Sequence, residues 1–177
     1  HGKTLNEQEL ISALSEIPEE KLPKIKLVKP VKSNWSTRNS KIKLNSYNLG
    51  EKKSTREAYG SALANLCASK EETLALDAEV SNSTFSEKVK LNSPEQFIEC
   101  FIAEQNMIGV ALGLSKKGFN VYASTFASFL SRAHDQLRMS AISSANFTIC
   151  GSHCGVSIGE DGASQMGLED IAMFRSI

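Results

Sequence analysis

Short apolar segments alternate with helical patterns from residue 73 onward, and this alternation constrains the fold more than any other feature. The apolar segments are TLALDA (73–78), FIECFI (97–102), FNVYAST (119–125) and NFTICG (146–151). Apolar residues at helical spacing lie between them, at 104–115 and 126–143. Strands that alternate with helices indicate parallel pairing, because a parallel connection needs a long crossover. The sequence therefore predicts an α/β domain with an open, mostly parallel sheet and helices on both faces.

The folded domain is predicted to begin at Ser54. Before it come an amphipathic helix within residues 5–17 and then, up to residue 53, a stretch with three prolines and no sustained period. Glu57 follows Ser54 by three residues, which is typical of a capping box. We expect residues 1–53 to form a helix and an extended linker, and 54–177 to form the domain. A helical pattern at 166–177 runs to the last residue, so the domain is expected to be truncated there.

Charge and composition exclude several classes of protein. Residues 1–53 carry eleven Lys and Arg against six Asp and Glu, and residues 54–177 carry nine against fourteen. The linker lysines alternate with apolar residues, their charge is interleaved with a few glutamates, and they have few aromatic neighbours, so we expect a solvated connector and no nucleic-acid binding. The sequence contains no run of eighteen apolar residues, so no membrane-spanning helix is predicted. Four cysteines without a signal-peptide pattern predict reduced thiols and a cytoplasmic location.

Glu104 comes directly after an apolar segment, in the first turn of a predicted helix. A carboxylate is favoured there by the helix dipole, so capping is one interpretation. The other is a half-buried acid that apolar neighbours keep protonated, able to pass a proton to a ring nitrogen of a ligand. The neighbours that would provide this environment are Phe101, Ile102, Met107 and Ile108.

Two phenylalanines follow the third apolar segment. Phe126 and Phe129 are three residues apart on one predicted helical face, with Arg132 and Ala133 next along it. Packing in the core is the ordinary explanation for such a stripe. The alternative is stacking on a flat heterocycle, which adds about 1 kcal/mol beyond the burial of area.

The segment CGSHCGVSIGEDGASQ (150–165) gathers thiols, an imidazole and carboxylates where the last predicted strand ends. It could be a zinc knuckle, a glycine-rich turn or one wall of an active site. A structural zinc site needs four ligands, and Cys150, His153 and Cys154 supply three. The glycines allow a close fold that would direct His153, Glu160 and Asp161 into one pocket. In open parallel sheets ligands bind at the carboxyl ends of strands, which favours the wall.

Several motifs in fixed order resemble the transketolase family in its animal-type form. They are NSTFSE, FIECFIAEQNM, STFASFLSRAHDQLRM and GSHCGVSIGEDGASQMGLEDIAMFRS. They match the middle, pyrimidine-binding domain of the thiamine-diphosphate-binding fold over most of residues 54–177. The opening HGK resembles the motif at which the preceding domain gives way to the linker. The related deoxyxylulose-phosphate synthase shares AEQ but is not known for SHCGVSIGEDG.

The resemblance implies an enzyme of the pentose phosphate pathway that uses thiamine diphosphate. Such an enzyme moves a two-carbon ketol unit from a ketose phosphate to an aldose phosphate, and sugar phosphates are its substrates. The cofactor lies between two subunits of a homodimer, and an absent domain would bind its diphosphate with Mg²⁺ or Ca²⁺. We therefore expect no metal ligands here and no activity from this chain alone. A non-catalytic, transketolase-like dimerisation module is the alternative.

The resemblance also assigns roles to individual residues. Glu104 matches the catalytic glutamate, which hydrogen-bonds the aminopyrimidine ring and promotes proton loss from the thiazolium carbon. Phe129 matches the aromatic residue that stacks on that ring, with Phe126 beside it. His153 matches a residue that acts in catalysis and binds the sugar. His1 matches a histidine near the diphosphate and the substrate, with cofactor-binding, substrate-binding and catalytic roles.

The remaining matches concern the substrate. Arg56 and Ser83 match the pair that binds the sugar phosphate, and a fork-shaped cation beside a hydroxyl suits that purpose. Asp161 matches a residue that binds sugar hydroxyls. Gln165, a further substrate-binding candidate, stands where non-animal relatives often have histidine. The chain reads DAE at 77–79 where many relatives read DGD, so the contacts of that loop are expected to differ.

Overall fold

The structure is a computed structural model that describes residues 5–17 and 40–177. Backbone contacts divide the chain into two compact units, residues 1–35 and 36–177. In the first unit, helix α1 (Glu7–Glu16) lies within the predicted range. Asn6 and Glu9 cap it reciprocally, each side chain accepting from the other's backbone N–H at 2.9 Å. Within the described ranges, no helix has the length and hydrophobicity needed to cross a lipid bilayer.

The second unit alternates strands and helices, as the sequence predicts. Its elements are α2 (Thr55–Ser69), β1 (Thr73–Asp77), α3 (Ser81–Thr84), α4 (Glu87–Asn92), β2 (Phe97–Glu99), α5 (Glu104–Lys116), β3 (Asn120–Phe126), α6 (His134–Ile142), β4 (Thr148–Ser152) and α7 (Asp170–Arg175). The four strands form one parallel sheet in the order β2-β1-β3-β4. All four carboxyl ends therefore lie along one edge of the sheet. The connection after β1 leads to β2 on one side, and the connection after β3 leads to β4 on the other. A topological switch point therefore lies between the carboxyl ends of β1 and β3.

Helices cover both faces of this sheet, which confirms the predicted fold class. Leu74 and Leu76 of β1 point into the larger core, which they share with residues of α5 and α6. Ala75, between them, points into the smaller core with Leu63 and Cys67 of α2. Alternate residues of a strand face opposite sides of the sheet, so one short strand serves both cores.

The predicted helix at 126–143 is wrong at its beginning. Phe126 pairs with Ser152, so it is the last residue of β3. A turn follows, then a 3₁₀ helix (Phe129–Ala133), and α6 begins only at His134. The spacing of the two phenylalanines suits a helix, but the ladder with β4 extends the strand past the predicted end.

Other boundaries also shift. The predicted strand at 97–102 ends at Glu99, because Phe101 takes a left-handed conformation with φ 56°. The predicted helix at 166–177 is confined to α7, because Gly167 is held beside the loop after β4, its carbonyl accepting from the Gly155 N–H at 2.9 Å. Half of the predicted capping box forms: the Ser54 hydroxyl accepts from the Glu57 N–H at 3.2 Å, while the Glu57 carboxylate pairs with Lys53.

The described part of the predicted linker, residues 40–53, contains no helix or strand and runs beside α2. Asn65 of α2 donates its side-chain amide to the Asn45 side-chain oxygen at 2.7 Å. The Ser40 N–H donates to the Ser69 carbonyl at 3.2 Å. Residues 18–39, which carry the rest of the predicted linker, lie outside the described residues.

Candidate active site

Glu104 opens α5 at the carboxyl edge of the sheet, beside a surface cleft. The cleft has a volume of about 560 Å³ and is lined by residues 102–106 and Arg132. The side chain of Glu104 is only 4% exposed, so it is more buried than the sequence predicts. Its position in the first turn of α5 suits a carboxylate, because the free N–H groups there carry partial positive charge.

The partner of Glu104 is Arg132, which sequence reasoning did not assign to the site. Arg132 Nη1 donates to Glu104 Oε1 in a close ion pair. The predicted apolar surroundings are correct only in part. Met107 and Ile108 are buried, as expected, but Phe101 is 65% exposed and Ile102 is 75% exposed. The one available signal was that Arg132 follows the aromatic residues at regular spacing.

Four flat side chains form a row next to this ion pair, which we call the stacked row. His153 lies 3.9 Å from Phe126, centroid to centroid, and Phe126 lies 5.0 Å from Phe129 with the rings 13° apart. The Arg132 guanidinium carbon lies 4.5 Å from the centroid of the Phe129 ring. The two phenylalanines thus meet through a strand-to-turn junction, not along one helix. Glu104 and Phe129 are linked by Arg132, which contacts both side chains.

His153 lies at the end of the row, where the charges of two other predicted site residues influence its pKa. Its backbone is left-handed, with φ 57°, and its Nδ1 lies 2.8 Å from the Ser152 hydroxyl. Partial burial lowers the pKa of His153, and the positive charge of Arg56 lowers it further, while Asp161 acts in the opposite direction. The structure therefore brings Arg56 and Asp161 within electrostatic range of His153, and it favours the neutral imidazole.

Arg56 and Ser83, predicted to act together, are in direct contact. Arg56 Nη1 donates to the Ser83 carbonyl oxygen at 2.7 Å. Ser83 lies in α3, the single helical turn after β1. Asp77 holds this turn in place, because its carboxylate accepts from the hydroxyls of Thr84 at 2.7 Å and Ser86 at 2.8 Å. Burial raises the pKa of the Asp77 carboxyl, although these hydroxyls oppose the rise. A buried network thus positions the predicted phosphate-binding pair.

Helix α2 approaches this turn so closely that only glycine fits at position 60. A Cβ added to Gly60 would lie 2.2 Å from the Phe85 carbonyl oxygen and 2.5 Å from its Cβ. Phe85 itself has a left-handed backbone, with φ 62°, so the turn has little freedom to move away. Gly60 therefore sets the distance between the helix that carries Arg56 and the turn that carries Ser83.

Glu99, at the end of β2, ties two loops of the site together. Its Oε1 accepts from the N–H of Glu79 at 3.0 Å and from the N–H of Phe101 at 3.2 Å. Both residues have left-handed backbones, with φ 61° and 56°. Strained conformations persist only where surrounding contacts determine them, and here one carboxylate oxygen serves the loops after β1 and β2. The second of these loops leads directly to Glu104.

Two predicted residues, Glu160 and Gln165, stand apart from this arrangement, and a third is not described. Glu160, expected to share a pocket with His153, is exposed on a short 3₁₀ helix together with Asp161. Gln165 is half-buried in the next 3₁₀ helix, its N–H donating to the Gly162 carbonyl at 3.2 Å. His1 lies outside the described residues, so its predicted roles stay predictions.

The zinc interpretation of CGSHC finds no support. Within residues 5–17 and 40–177, no three His, Cys, Asp or Glu side chains are grouped so that they could hold a metal ion. Cys67 and Cys100 are buried in the two cores, away from the exposed Cys154, and all four cysteines are free thiols.

Comparison with known proteins identifies the family. The model of the family "Transketolase, pyrimidine binding domain" matches residues 51–177. Transketolase-like protein 2 of Mus musculus is 61% identical over 132 residues, 74% of this chain and 21% of that protein. Transketolase of Homo sapiens is 57% identical over 135 residues, 76% of this chain and 22% of that protein.

The fold agrees with this match. A crystal structure of transketolase from Campylobacter jejuni superposes with a TM-score of 0.69 and 23% identity, covering 76% of this chain and 22% of that one. The chain spans about a fifth of the length of these relatives. Sequence and fold together show that the chain belongs to the transketolase family, and that its residues 51–177 form the pyrimidine-binding domain.

Proposed function

We propose that this chain supplies the pyrimidine-binding half of a transketolase active site. The reaction would transfer a two-carbon ketol unit from a ketose phosphate to an aldose phosphate, in the pentose phosphate pathway of the cytoplasm. The observation that carries this proposal is the buried Glu104 carboxylate, which opens on a cleft beside stacked aromatic rings. An acid and an aromatic face are what a flat ring with basic nitrogens requires.

The residues present fit one half of thiamine diphosphate. Glu104 offers a carboxylate to a pyrimidine ring, and Phe129, backed by the buried Phe126, offers an apolar ring face. The described part of the chain offers no group of side chains for a divalent ion. We therefore propose that the diphosphate and its Mg²⁺ or Ca²⁺ bind to another domain, and that the site is completed in a homodimer.

The chain's own residues would act by binding, orienting and moving a proton. Thiamine diphosphate, when bound, supplies the electron sink for breaking and forming the carbon–carbon bond. Glu104 would hold and pass a proton at a nitrogen of the pyrimidine ring, and Phe129, with Phe126 behind it, would fix the plane of that ring. The burial of Glu104 would limit the access of water to this exchange once the ring covers the cleft.

The other residues would hold the sugar phosphate. Arg56, already held by the Ser83 carbonyl, provides a planar cation for the phosphate, with Ser83 beside it. The pKa of His153 is lowered, so a neutral imidazole can both donate to and accept from sugar hydroxyls at neutral pH. Asp161 would accept from a further hydroxyl. The predicted contributions of His1 and Gln165 remain part of the proposal.

The test is ketol transfer by the complete enzyme with Glu104→Gln. The amide has the size of the acid but cannot pass a proton, so we expect kcat to fall by about 10²- to 10⁴-fold. Glu95→Gln is the matched control, since Glu95 is exposed on the helical turn before β2 and should leave the rate unchanged. Equal rates for wild type and Glu104→Gln would remove Glu104 from catalysis.

A non-catalytic dimerisation module is the second candidate. Phe101 and Ile102 are exposed apolar side chains in the loop before Glu104, which suits a surface covered by another subunit. If this candidate were correct, the complete wild-type protein would dimerise in sedimentation experiments but would not transfer ketol units. Activity that is lost in Glu104→Gln excludes it.

A further inference from the structure

Arg132 contacts both groups that a flat ligand ring would need, the Glu104 carboxylate and the face of the Phe129 ring. Its Nη1 donates to Glu104 Oε1, and its guanidinium lies over the Phe129 ring at 4.5 Å. We propose that Arg132 is a placeholder, a positioning residue that holds Glu104 and covers Phe129 until the pyrimidine ring displaces it. This inference rests on the proposed function of the site.

The guanidinium resembles the ring that would replace it. It is planar, stacks on aromatic faces and presents N–H donors in its plane. An aminopyrimidine has the same three properties, so the two groups compete for the same carboxylate and the same aromatic face. The opposite end of the stacked row, at His153, offers no alternative, because a ring there would be separated from Phe129 by Phe126.

Burial explains why Glu104 needs such a residue. The Glu104 side chain is 4% exposed, and a carboxylate in that position is unfavourable without a partner. The Arg132 side chain is 52% exposed. It can therefore move its own charge into water, while the Glu104 carboxylate stays buried and needs the incoming ring as its new partner. The buried partner stays in place and the exposed one exchanges.

The proposal predicts opposite effects on ligand affinity and on stability. Arg132→Met removes the competing guanidinium but keeps an apolar stem of similar length. We expect the Kd for thiamine diphosphate to fall by about three- to tenfold. In the wild type, binding must break a partly exposed cation–π contact and an ion pair, and in the variant it does not. We expect the Tm of the cofactor-free protein to fall as well, because Glu104 loses its partner.

The experiment is titration calorimetry of the complete enzyme with thiamine diphosphate and Mg²⁺, with thermal unfolding of the cofactor-free protein measured in parallel. Arg138→Met, on an exposed position of α6, controls for the loss of one positive charge and should change neither quantity. Arg132→Lys keeps the charge without the planar group and should give an intermediate Kd. It also decides the question by the same criterion if Arg132→Met does not fold.

A residue with only a structural role would lower Tm and weaken or leave unchanged the affinity, and that result overturns the placeholder proposal. Failure of the underlying function would look different. If the wild type does not bind thiamine diphosphate, or if Glu104→Gln binds it as the wild type does, then the site is not a pyrimidine site at all. Binding that depends on Glu104 but is not tightened in Arg132→Met rejects the placeholder alone.

Discussion

At the scale of single residues, His153 is the most informative side chain because three influences act on it in known directions. Burial and the charge of Arg56 lower its pKa, while Asp161 raises it. Two of these influences come from residues predicted to bind the same substrate. The titration of His153 therefore reports whether the substrate-binding group is assembled.

The first prediction concerns that titration. Arg56→Gln should raise the pKa of His153, because it removes a positive charge, and Asp161→Asn should lower it, because it removes a negative one. The measurement is an NMR titration of the histidine ring protons, assigned with His153→Gln. Shifts of the same sign in both variants would mean that the three side chains are not neighbours.

The lowered pKa of His153 also determines in which direction the stability of the protein changes with pH. Between the native pKa of His153 and the ordinary value of 6.5, the unfolded state binds more protons than the native state. The contribution of His153 to stability is therefore fully present above pH 6.5 and is lost as pH falls through that window. In His153→Gln, urea unfolding should have a shallower pH dependence in this range, and an unchanged slope would contradict the assignment.

At the scale of elements, the contact between α2 and the turn after β1 depends on one missing side chain. Gly60→Ala would force a methyl group against the backbone of Phe85. We expect a loss of about 1–3 kcal/mol in the free energy of unfolding, as for other overpacked contacts, together with a raised KM for sugar phosphate. Urea unfolding and steady-state kinetics measure the two effects.

Gly113 provides the control for that substitution. It lies within α5, and a Cβ there would meet nothing within 4 Å. Gly113→Ala should therefore stabilise the protein, by up to about 1 kcal/mol, because alanine loses less backbone entropy in a helix. Destabilisation of similar size in both variants would show that the Phe85 contact is not what makes Gly60 necessary.

Elements were predictable from the sequence where local pattern and long-range pairing agree. The strands at 73–78 and 119–125 were predicted within one residue, because apolar runs end where the chain turns. The start of the helix predicted at 126–143 was wrong because pairing with β4, remote in sequence, extends β3 to Phe126. The Glu104–Arg132 pair joins residues 28 positions apart, and no local period encodes such a contact.

At the scale of the whole molecule, the site is one-sided. Its acid, its aromatic row and its cations lie along one edge of the sheet, while the described residues provide no group for a divalent ion. We predict that this chain alone does not catalyse ketol transfer, and that adding the diphosphate-binding domain of the same enzyme restores activity. A coupled assay of the chain, the added domain and their mixture measures this. Activity of the chain by itself would contradict the half-site proposal.

The shared carboxylate of Glu99 has a consequence for any redesign of the proposed site. One oxygen fixes the loop that leads to Ser83, which we propose binds the sugar phosphate, and the loop that leads to Glu104. The two therefore cannot be altered independently, and a loop graft intended to change sugar preference would also misalign the acid. Broadened specificity should accordingly be accompanied by slower turnover, unless the graft preserves the hydrogen bond from the Glu79 N–H.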